Sequence, residues 1–536
     1  MRCKAGGPAC HKLLEINPLL NRRAQRVDIL LLLEGTFPYV PGGVSSWVNQ
    51  IIRAFPQYQF GIVFIGGRRE DYGKPHYELP DNVVHFEEFF LQDADVTIPV
   101  SKSATSRKVF NQVTCLHDAF RNTESTEAIG QLIREVAPML SESGGLSEQH
   151  FRHSEGAWDF LTARYEEYCT DPSFTDYFWT VRIMHMPIWR LVRICENLIP
   201  ARLYHTCSTG YAGLLGALLR YRSTTPLLVT EHGIYTKERK IDLLQSLWLQ
   251  DNRGVFEKDI SKPGYFQSLW VRFFETMGRV CYDAADEIVA LYEGNRQRQI
   301  HDGAPAAKTR RIPNGIDVNR YTIVRDQRPE VAPHVVALIG RVVPIKDIKT
   351  FIRSIFIAVR RLPNLRGWII GPQYEDPEYV RECIDLVASL GLQNNIEFLG
   401  FRRIDELLPE VGLVALSSIS EGLPLVVLEA FAAGVPVVTT DVGSCRELVQ
   451  GTGDEDRSLG EAGAVVEIAN PGLFADAIID LLEQPLKWQA ARQAAIARVE
   501  RYYTHTIMED AYGNLYGSLM RDVKENIACG EASWRG

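Results

Sequence analysis

No stretch of this 536-residue chain approaches the about 18–20 consecutive apolar residues that a membrane-crossing helix needs. The chain has no excess of basic charge either. Its formal net charge is −9, which argues against nucleic acid as the main partner and means that any anionic ligand must be held by a local cluster of positive groups. The ten cysteines are scattered, with no C-x-x-C pair and no regular spacing. This suits a reducing compartment better than a disulfide framework or a zinc site. The first 26 residues lack the apolar core of a secretory signal. They are polar and basic (Lys4, Lys12, Arg22, Arg23, Arg26) and read as a disordered arm, with a weak contact to anionic lipid or a partner as its sharper role. A cytoplasmic location follows as the expectation.

What is present is a soluble, globular composition, 46% hydrophobic and 23% charged, at a length that fits two or three domains. The most informative stretch runs from Val411 to Thr439. An apolar run to Leu416 reads as a buried strand, and Ser417–Gly422 as a loop. Pro424 sits where a helix would begin. Gly434 and Pro436 are its stop signals, and Val435–Thr439 is the next strand. This βαβ unit carries Glu421 in its loop and Glu429 on its helix. In doubly wound sheets ligands sit outside the carboxyl ends of the strands, near helix N-termini that favour anions. A carboxylate there can accept two hydrogen bonds from the vicinal diol of a ribose or hexose.

Glu421-x7-Glu429 in a strand–loop–helix setting resembles the signature of the retaining glycosyltransferases of family 4. The resemblance implies the α/β GT-B architecture, two doubly wound Rossmann-like domains facing a cleft. It also implies that Glu429 binds the nucleotide ribose, that Glu421 lies near the donor sugar, and that Gly422 and Leu423 share the donor contact. Gly340-Arg341-x4-Lys346 follows an apolar strand starting at His334 and matches the family's phosphate-binding pair, the local positive site that an acidic protein needs.

Along the first half, Val27–Leu33 reads as a central parallel strand. Gly42-Gly43 stands between it and an apolar-periodic helix, where the backbone can approach a phosphate, and the resemblance assigns it to the donor diphosphate. Further strands are read at 59–65, after 82, at 202–206, 227–231 and 284–292. His232 stands at a strand's carboxyl end before Gly233, where the family's equivalent His contacts donor sugar and phosphate. Arg239 reads as an ion-pair residue or as part of the acceptor side. The region about 91–200 turns helical and aromatic. Helices around a core, or an acceptor- or partner-binding insertion, both account for it.

The domain expectation is therefore an arm at 1–26, a first Rossmann-like domain at 27–324 with the helical insertion, a linker at 325–333 and a nucleotide-sugar domain at 334–500. The resemblance implies that helices at 501–536 cross back to the first domain. Asp93-Ala-Asp95 and Asp454-Glu-Asp456 read as solvated loop acids, so no metal is expected; the resemblance implies a UDP-sugar as donor substrate and no cofactor. Retention in the family proceeds by front-face attack, the leaving phosphate accepting the acceptor's proton.

The first half is also similar to the cytosolic glycosyltransferases of the bacterial Pel exopolysaccharide system. The similarity lies in Leu31-Leu-Leu-Glu-Gly-Thr-Phe-Pro-Tyr-Val-Pro-Gly-Gly-Val-Ser-Ser-Trp47, Gly73-Lys-Pro-His-Tyr77 and Thr230-Glu-His-Gly-Ile-Tyr-Thr-Lys-Glu-Arg239. It implies a polysaccharide acceptor, partners in an inner-membrane Pel synthase complex, and a peripheral location through those partners. Two other readings stay open: a non-catalytic UDP-sugar-binding assembly subunit, and a GT-B sugar-nucleotide epimerase or phosphorylase.

Overall fold

The computed structural model describes residues 22–93, 107–122, 125–141, 144–170, 172–245 and 264–532. Residues 1–21 of the expected arm, and Asp95, lie outside the described residues. Seven parallel strands form the first sheet: β1 (Val27–Glu34), β2 (Phe60–Gly66), β3 (Val83–Phe90), β4 (Ala201–Thr206), β5 (Leu227–Glu231), β6 (Glu287–Ala290) and β7 (Thr309–Arg311). Their order is β3-β2-β1-β4-β5-β6-β7. A second parallel sheet holds β8 (Val335–Ile339), β9 (Arg366–Ile370), β10 (Ile396–Gly400), β11 (Leu413–Leu416), β12 (Val437–Thr440) and β13 (Gly463–Val466), in the order β10-β9-β8-β11-β12-β13. The central strands are near-continuous apolar runs because helices cover both faces of each sheet. β1 is buried from Ile29 to Leu33. This is the α/β, two-sheet architecture expected from the sequence.

Each sheet reverses its strand order once, between β1 and β4 in the first and between β8 and β11 in the second. The loops that leave these strands therefore diverge and open a crevice at the carboxyl end of each sheet. Gly42-Gly43 follows β1, Arg341 and Lys346 follow β8, and Glu421 follows β11.

Between β3 and β4 the chain forms helices Arg107–Arg121, Thr126–Val136, Glu148–His153, Glu155–Tyr168 and Phe174–Asn197. They enclose a core of their own that includes Phe110, Leu116, Phe151, Phe160, Tyr177 and Trp189. Trp158 and Trp179 are more than half exposed, so not every aromatic of this region belongs to that core.

Three sequence readings need correction. Arg22, Arg23 and Arg26 were assigned to the disordered arm, but the chain from Arg22 is packed along β3. Arg22 Nη1 donates to the Pro80 and Val83 carbonyls at 2.7 and 2.6 Å, and Arg23 donates to the Phe86 carbonyl. The linker at 325–333 is no spacer. Helix Val318–Asp326 packs Tyr321 and Val324 into the core of the second sheet, and the buried Arg328 donates to the carbonyls of Leu408 and Val411. Its polar composition reads as linker only because those guanidinium bonds are tertiary. Asp456 is not solvated: it is 4% exposed and pairs with the fully buried Arg498, Nε to Oδ1 at 2.6 Å.

The chain passes between the two sheets at residues 312–317 and returns at 503–505. The two passages pair side by side, Ile316 N to the Tyr503 carbonyl at 2.9 Å and His505 N to the Ile316 carbonyl at 3.0 Å. Helix His505–Ala532 then lays Met508, Tyr512, Tyr516 and Met520 into the core of the first sheet. Among the described residues no helix is long and apolar enough to cross a membrane.

Candidate active site

The second sheet supplies most of the site. The loops after β8 and β11 are stitched together: Ile419 N donates to the Ile345 carbonyl at 2.8 Å, and Ser417 Oγ to the carbonyls of Lys346 and Asp347 at 2.9 and 3.0 Å. This brings Lys346 Nζ to 2.5 Å from Glu421 Oε1, which also accepts from Ser418 Oγ at 2.6 Å. The pair is largely shielded, with the Lys346 and Glu421 side chains 19% and 13% exposed. Below it, the loop after β12 comes so close that a Cβ on Gly443 would stand 2.4 Å from the Glu421 carbonyl. Arg341 is turned to the rim, where it is exposed and pairs with Glu375 at 2.7 Å.

Helix Leu425–Ala432 begins one residue after Pro424 and ends before Gly434, whose φ of +69° is the left-handed cap conformation. Glu429 lies on this helix, where the Tyr321 hydroxyl donates to it and Arg320 stands nearby. Burial raises its carboxyl above the ordinary range, against these two favourable neighbours. The Leu423 side chain is buried in the core of the second sheet, so only its backbone is left to meet a ligand.

The first sheet contributes from across the cleft. His232 follows β5, and its ring stacks edge-on against Trp47 at 4.8 Å between centroids. Trp47 belongs to helix Gly43–Ala54, whose first helical bond runs from Ser46 N to the Gly42 carbonyl. The preceding amides have no partner within the helix, and Gly42 and Gly43 face open space. The two halves come close here, where a Cβ on Gly422 would lie 2.9 Å from the His232 carbonyl oxygen. His232, Glu421, Gly422 and Lys346 therefore gather in one place, with Gly42-Gly43 behind Trp47.

Burial lowers the His232 pKa to about 4, so the ring is neutral at neutral pH. Its Nε2 is buried without a hydrogen-bond partner among the described residues. Ser208 Oγ after β4, Thr36 Oγ1 after β1 and Ser444 Oγ after β12 are in the same condition. Buried polar atoms in native proteins are normally paired. Trp47 Nε1 and Gln50 Nε2 are also without a partner, but His232, Ser208, Thr36 and Ser444 share a place just after a strand.

Three acidic neighbours of these elements were not singled out from the sequence. Glu34, at the end of β1, accepts from Ala212 N at 3.1 Å and from the Tyr235 hydroxyl at 2.9 Å, and burial raises its carboxyl. Glu231, fully buried, accepts from Thr209, Tyr282 and Gln299 and so fixes the strand end that presents His232. Glu447 reaches from the second sheet to the amides of Glu293 and Gly294 at 3.1 and 2.9 Å, capping a first-sheet helix. Arg239 pairs loosely with Asp242 at 3.5 Å. Of the three acids, only Glu34 carried a sequence signal, an acid directly ahead of a glycine at a strand end; Arg239 reads in the sequence as an ion-pair residue or as part of the acceptor side.

Residues 27–307 match the model of a family described as a domain of unknown function, DUF3492. The chain belongs to the DUF3492 family. Residues 333–484 match the glycosyl transferases group 1 model. The DUF3492 region thus holds Gly42, Gly43 and His232, and the group 1 domain holds Arg341, Lys346, Glu421, Gly422, Leu423 and Glu429. Among curated relatives, a D-inositol 3-phosphate glycosyltransferase of Rhodococcus opacus is 28% identical over 334 residues, covering 60% of this chain and 68% of the relative. The lipopolysaccharide core biosynthesis mannosyltransferase LpsB of Rhizobium meliloti is 28% identical over 220 residues, 39% of this chain and 61% of the relative. Among solved structures, HepE of Anabaena in complex with UDP has a TM-score of 0.52 at 16% identity, covering 92% of this chain and all of HepE. Sucrose-phosphate synthase of Thermosynechococcus elongatus has a TM-score of 0.53 at 17% identity, covering 92% and 100%. This DUF3492 protein therefore has the fold of these glycosyltransferases.

Proposed function

We propose that this protein is a retaining, metal-independent glycosyltransferase that moves a hexose or N-acetylhexosamine from a UDP-sugar to a growing exopolysaccharide, in the manner of PelF of the Pel system. The observation that carries the reading is the Lys346–Glu421 pair at the strand-order reversal of the group 1 domain, facing His232 across the cleft. The relatives' names support glycosyl transfer, and the UDP bound to HepE supports a uridine donor. The motifs at 31–47, 73–77 and 230–239 support the Pel-type acceptor, its membrane-complex partners and a cytoplasmic place beside them.

The chemistry requires a leaving nucleoside diphosphate to be stabilised as the bond from the anomeric carbon breaks. Lys346, Arg341 and the open amides behind Gly42-Gly43 are the groups that would neutralise it; one well-placed donor in such a site is worth about 2.7–4 kcal/mol of barrier. Glu429 would accept from the ribose hydroxyls, with Gly422 and the Leu423 backbone beside the diphosphate. Glu421 and the neutral, unpartnered His232 ring would accept from or donate to hydroxyls of the sugar. In the front-face course the acceptor hydroxyl bonds to the anomeric carbon as the phosphate leaves and takes its proton.

Calorimetric titration of the full chain with UDP, ADP, UDP-glucose and UDP-N-acetylhexosamines, in EDTA, tests the proposal. Uridine-selective binding that survives EDTA and weakens at least ten-fold in Glu429→Ala is the expected result. Preference for ADP, or unchanged binding in the variant, overturns the donor site. Binding without any sugar transfer would leave a non-catalytic assembly subunit.

A further inference from the structure

The helical insertion contains a cavity that the proposed reaction does not use. It lies between helices Arg107–Arg121, Thr126–Val136, Phe174–Asn197 and Tyr265–Ala284 and has a volume of about 190 Å³. An engineered apolar cavity of about 150 Å³ stays dry and accepts benzene, so this one is larger than a space already able to take a hydrocarbon. Its walls are aliphatic and aromatic, among them Leu116, Ile133, Val181, Met184 and Phe273. The two histidines on the wall, His117 and His185, are stacked at 5.4 Å, and burial holds both below the usual imidazole range, His117 at about 3. Both rings are neutral at neutral pH, which leaves Asp118 and three arginines as the charged groups on the lining.

The charge sits among three half-buried arginines that also line the cavity, Arg121, Arg164 and Arg272. Arg164 is paired, to Asp118 and to Glu167, each at 2.7 Å. Arg121 and Arg272 have no ion pair among the described residues. Arg121 lies on the Tyr168 ring at 3.4 Å and bonds Tyr265. Burial lowers the Arg272 pKa, and its proximity to Arg121 lowers it further. Two cations stand against an apolar space with no ion pair on either; Glu275 acts on Arg272 from a distance and is itself paired to Lys240, so the two lack the close counter-charge that buried ions ordinarily have.

We propose that this cavity binds a single-chain lipid anion, its hydrocarbon chain among the apolar side chains and its carboxylate or phosphate head between Arg121 and Arg272. A guanidinium pair matches such a head bidentately. A peptide is a poor occupant, because its backbone N–H and C=O groups would find few partners on these walls. An alkyl chain has no such groups to satisfy.

Titration of the full-length protein with dodecanoate, dodecyl phosphate and dodecyltrimethylammonium, all below their micellar concentrations, tests this. Both anions bind saturably at one per chain, with the cation at least ten-fold weaker. The Arg121→Gln/Arg272→Gln double variant binds the anions at least ten-fold more weakly and loses the preference for negative charge. Val181→Phe, which fills the cavity, loses all three, with UDP titration and thermal unfolding reporting that the variant is folded. If Val181→Phe does not fold, the arginine variant decides alone. No saturable binding of the anions overturns the proposal, as does equal binding of the cation or unchanged binding in the arginine variant. A preference between carboxylate and phosphate identifies the head group.

Discussion

Lys346 stands 2.5 Å from a Glu421 oxygen, so in the proposed reaction a donor diphosphate would share this lysine with a carboxylate. Replacing Glu421 by Gln keeps a hydrogen-bond acceptor of the same shape and removes the competing charge. A phosphate oxygen bonded to the free side of Nζ would stand roughly 4–5 Å from that carboxylate oxygen. Two unit charges at this separation repel by about 3–4 kcal/mol at an effective dielectric constant near 20. Solvent in the open cleft and the spread of charge over the diphosphate reduce this to about 1–2 kcal/mol, a five- to thirty-fold change in Kd. Glu421→Gln is therefore expected to bind UDP that much more tightly while transferring sugar more slowly. Lys346→Met weakens UDP more than ten-fold in either background, since a hydrogen bond to a charged group contributes about 1.5–3 kcal/mol. Calorimetry on the four proteins of this double-mutant cycle gives the comparison. Weaker UDP binding in Glu421→Gln than in the wild type would refute the argument, because Glu421 would then be positioning Lys346 rather than competing for it.

Stability is expected to fall on mild acidification. His232 has a folded pKa of about 4 against an ordinary 6.5, so below pH 6.5 the unfolded chain takes a proton that the folded one refuses. The stability present above pH 6.5 is lost as the pH falls towards 4, by about 2 kcal/mol between pH 7 and 5 for this ring alone. Urea unfolding at the two pH values reads it, and an equal slope in His232→Gln would remove His232 as the source. Arg498 is fully buried and bonds Asp456 and the carbonyls of Val449 and Gly460. Arg498→Met strands the Asp456 charge and is expected to cost about 3–5 kcal/mol, partly restored by adding Asp456→Asn. A loss below about 1 kcal/mol in the single variant would show the pair to be dispensable.

The strand–loop–helix unit at 411–439 was legible because each of its signals is local. Apolar runs mark β11 and β12, Pro424 stands next to the helix start, and Gly434 takes the positive φ that ends the helix. The positions of His232 and Arg341 after strand ends, and of Gly42-Gly43 at a helix start, were legible for the same reason. The polar stretch 325–333 was misread because a guanidinium that caps buried carbonyls, as Arg328 does, looks in sequence like any solvated arginine. Asp456 was misread likewise: its partner Arg498 is 42 residues away.

The sequence by itself determined the individual strands and which residues follow them, while the two-sheet architecture came from the family resemblance. Hydrophobic periodicity and the backbone limits of Gly and Pro act over a few residues and survive in any window of the chain. Only the tertiary structure decided which of those residues meet. Lys346 finds Glu421 across 75 residues, and His232 lies against Trp47 and Gly422. Leu423 is drawn into the core, and Arg341 is turned to Glu375 at the rim. These outcomes depend on strand order, on the approach of the two sheets and on which buried groups lack partners. Those are properties of packing, with no signature in local composition.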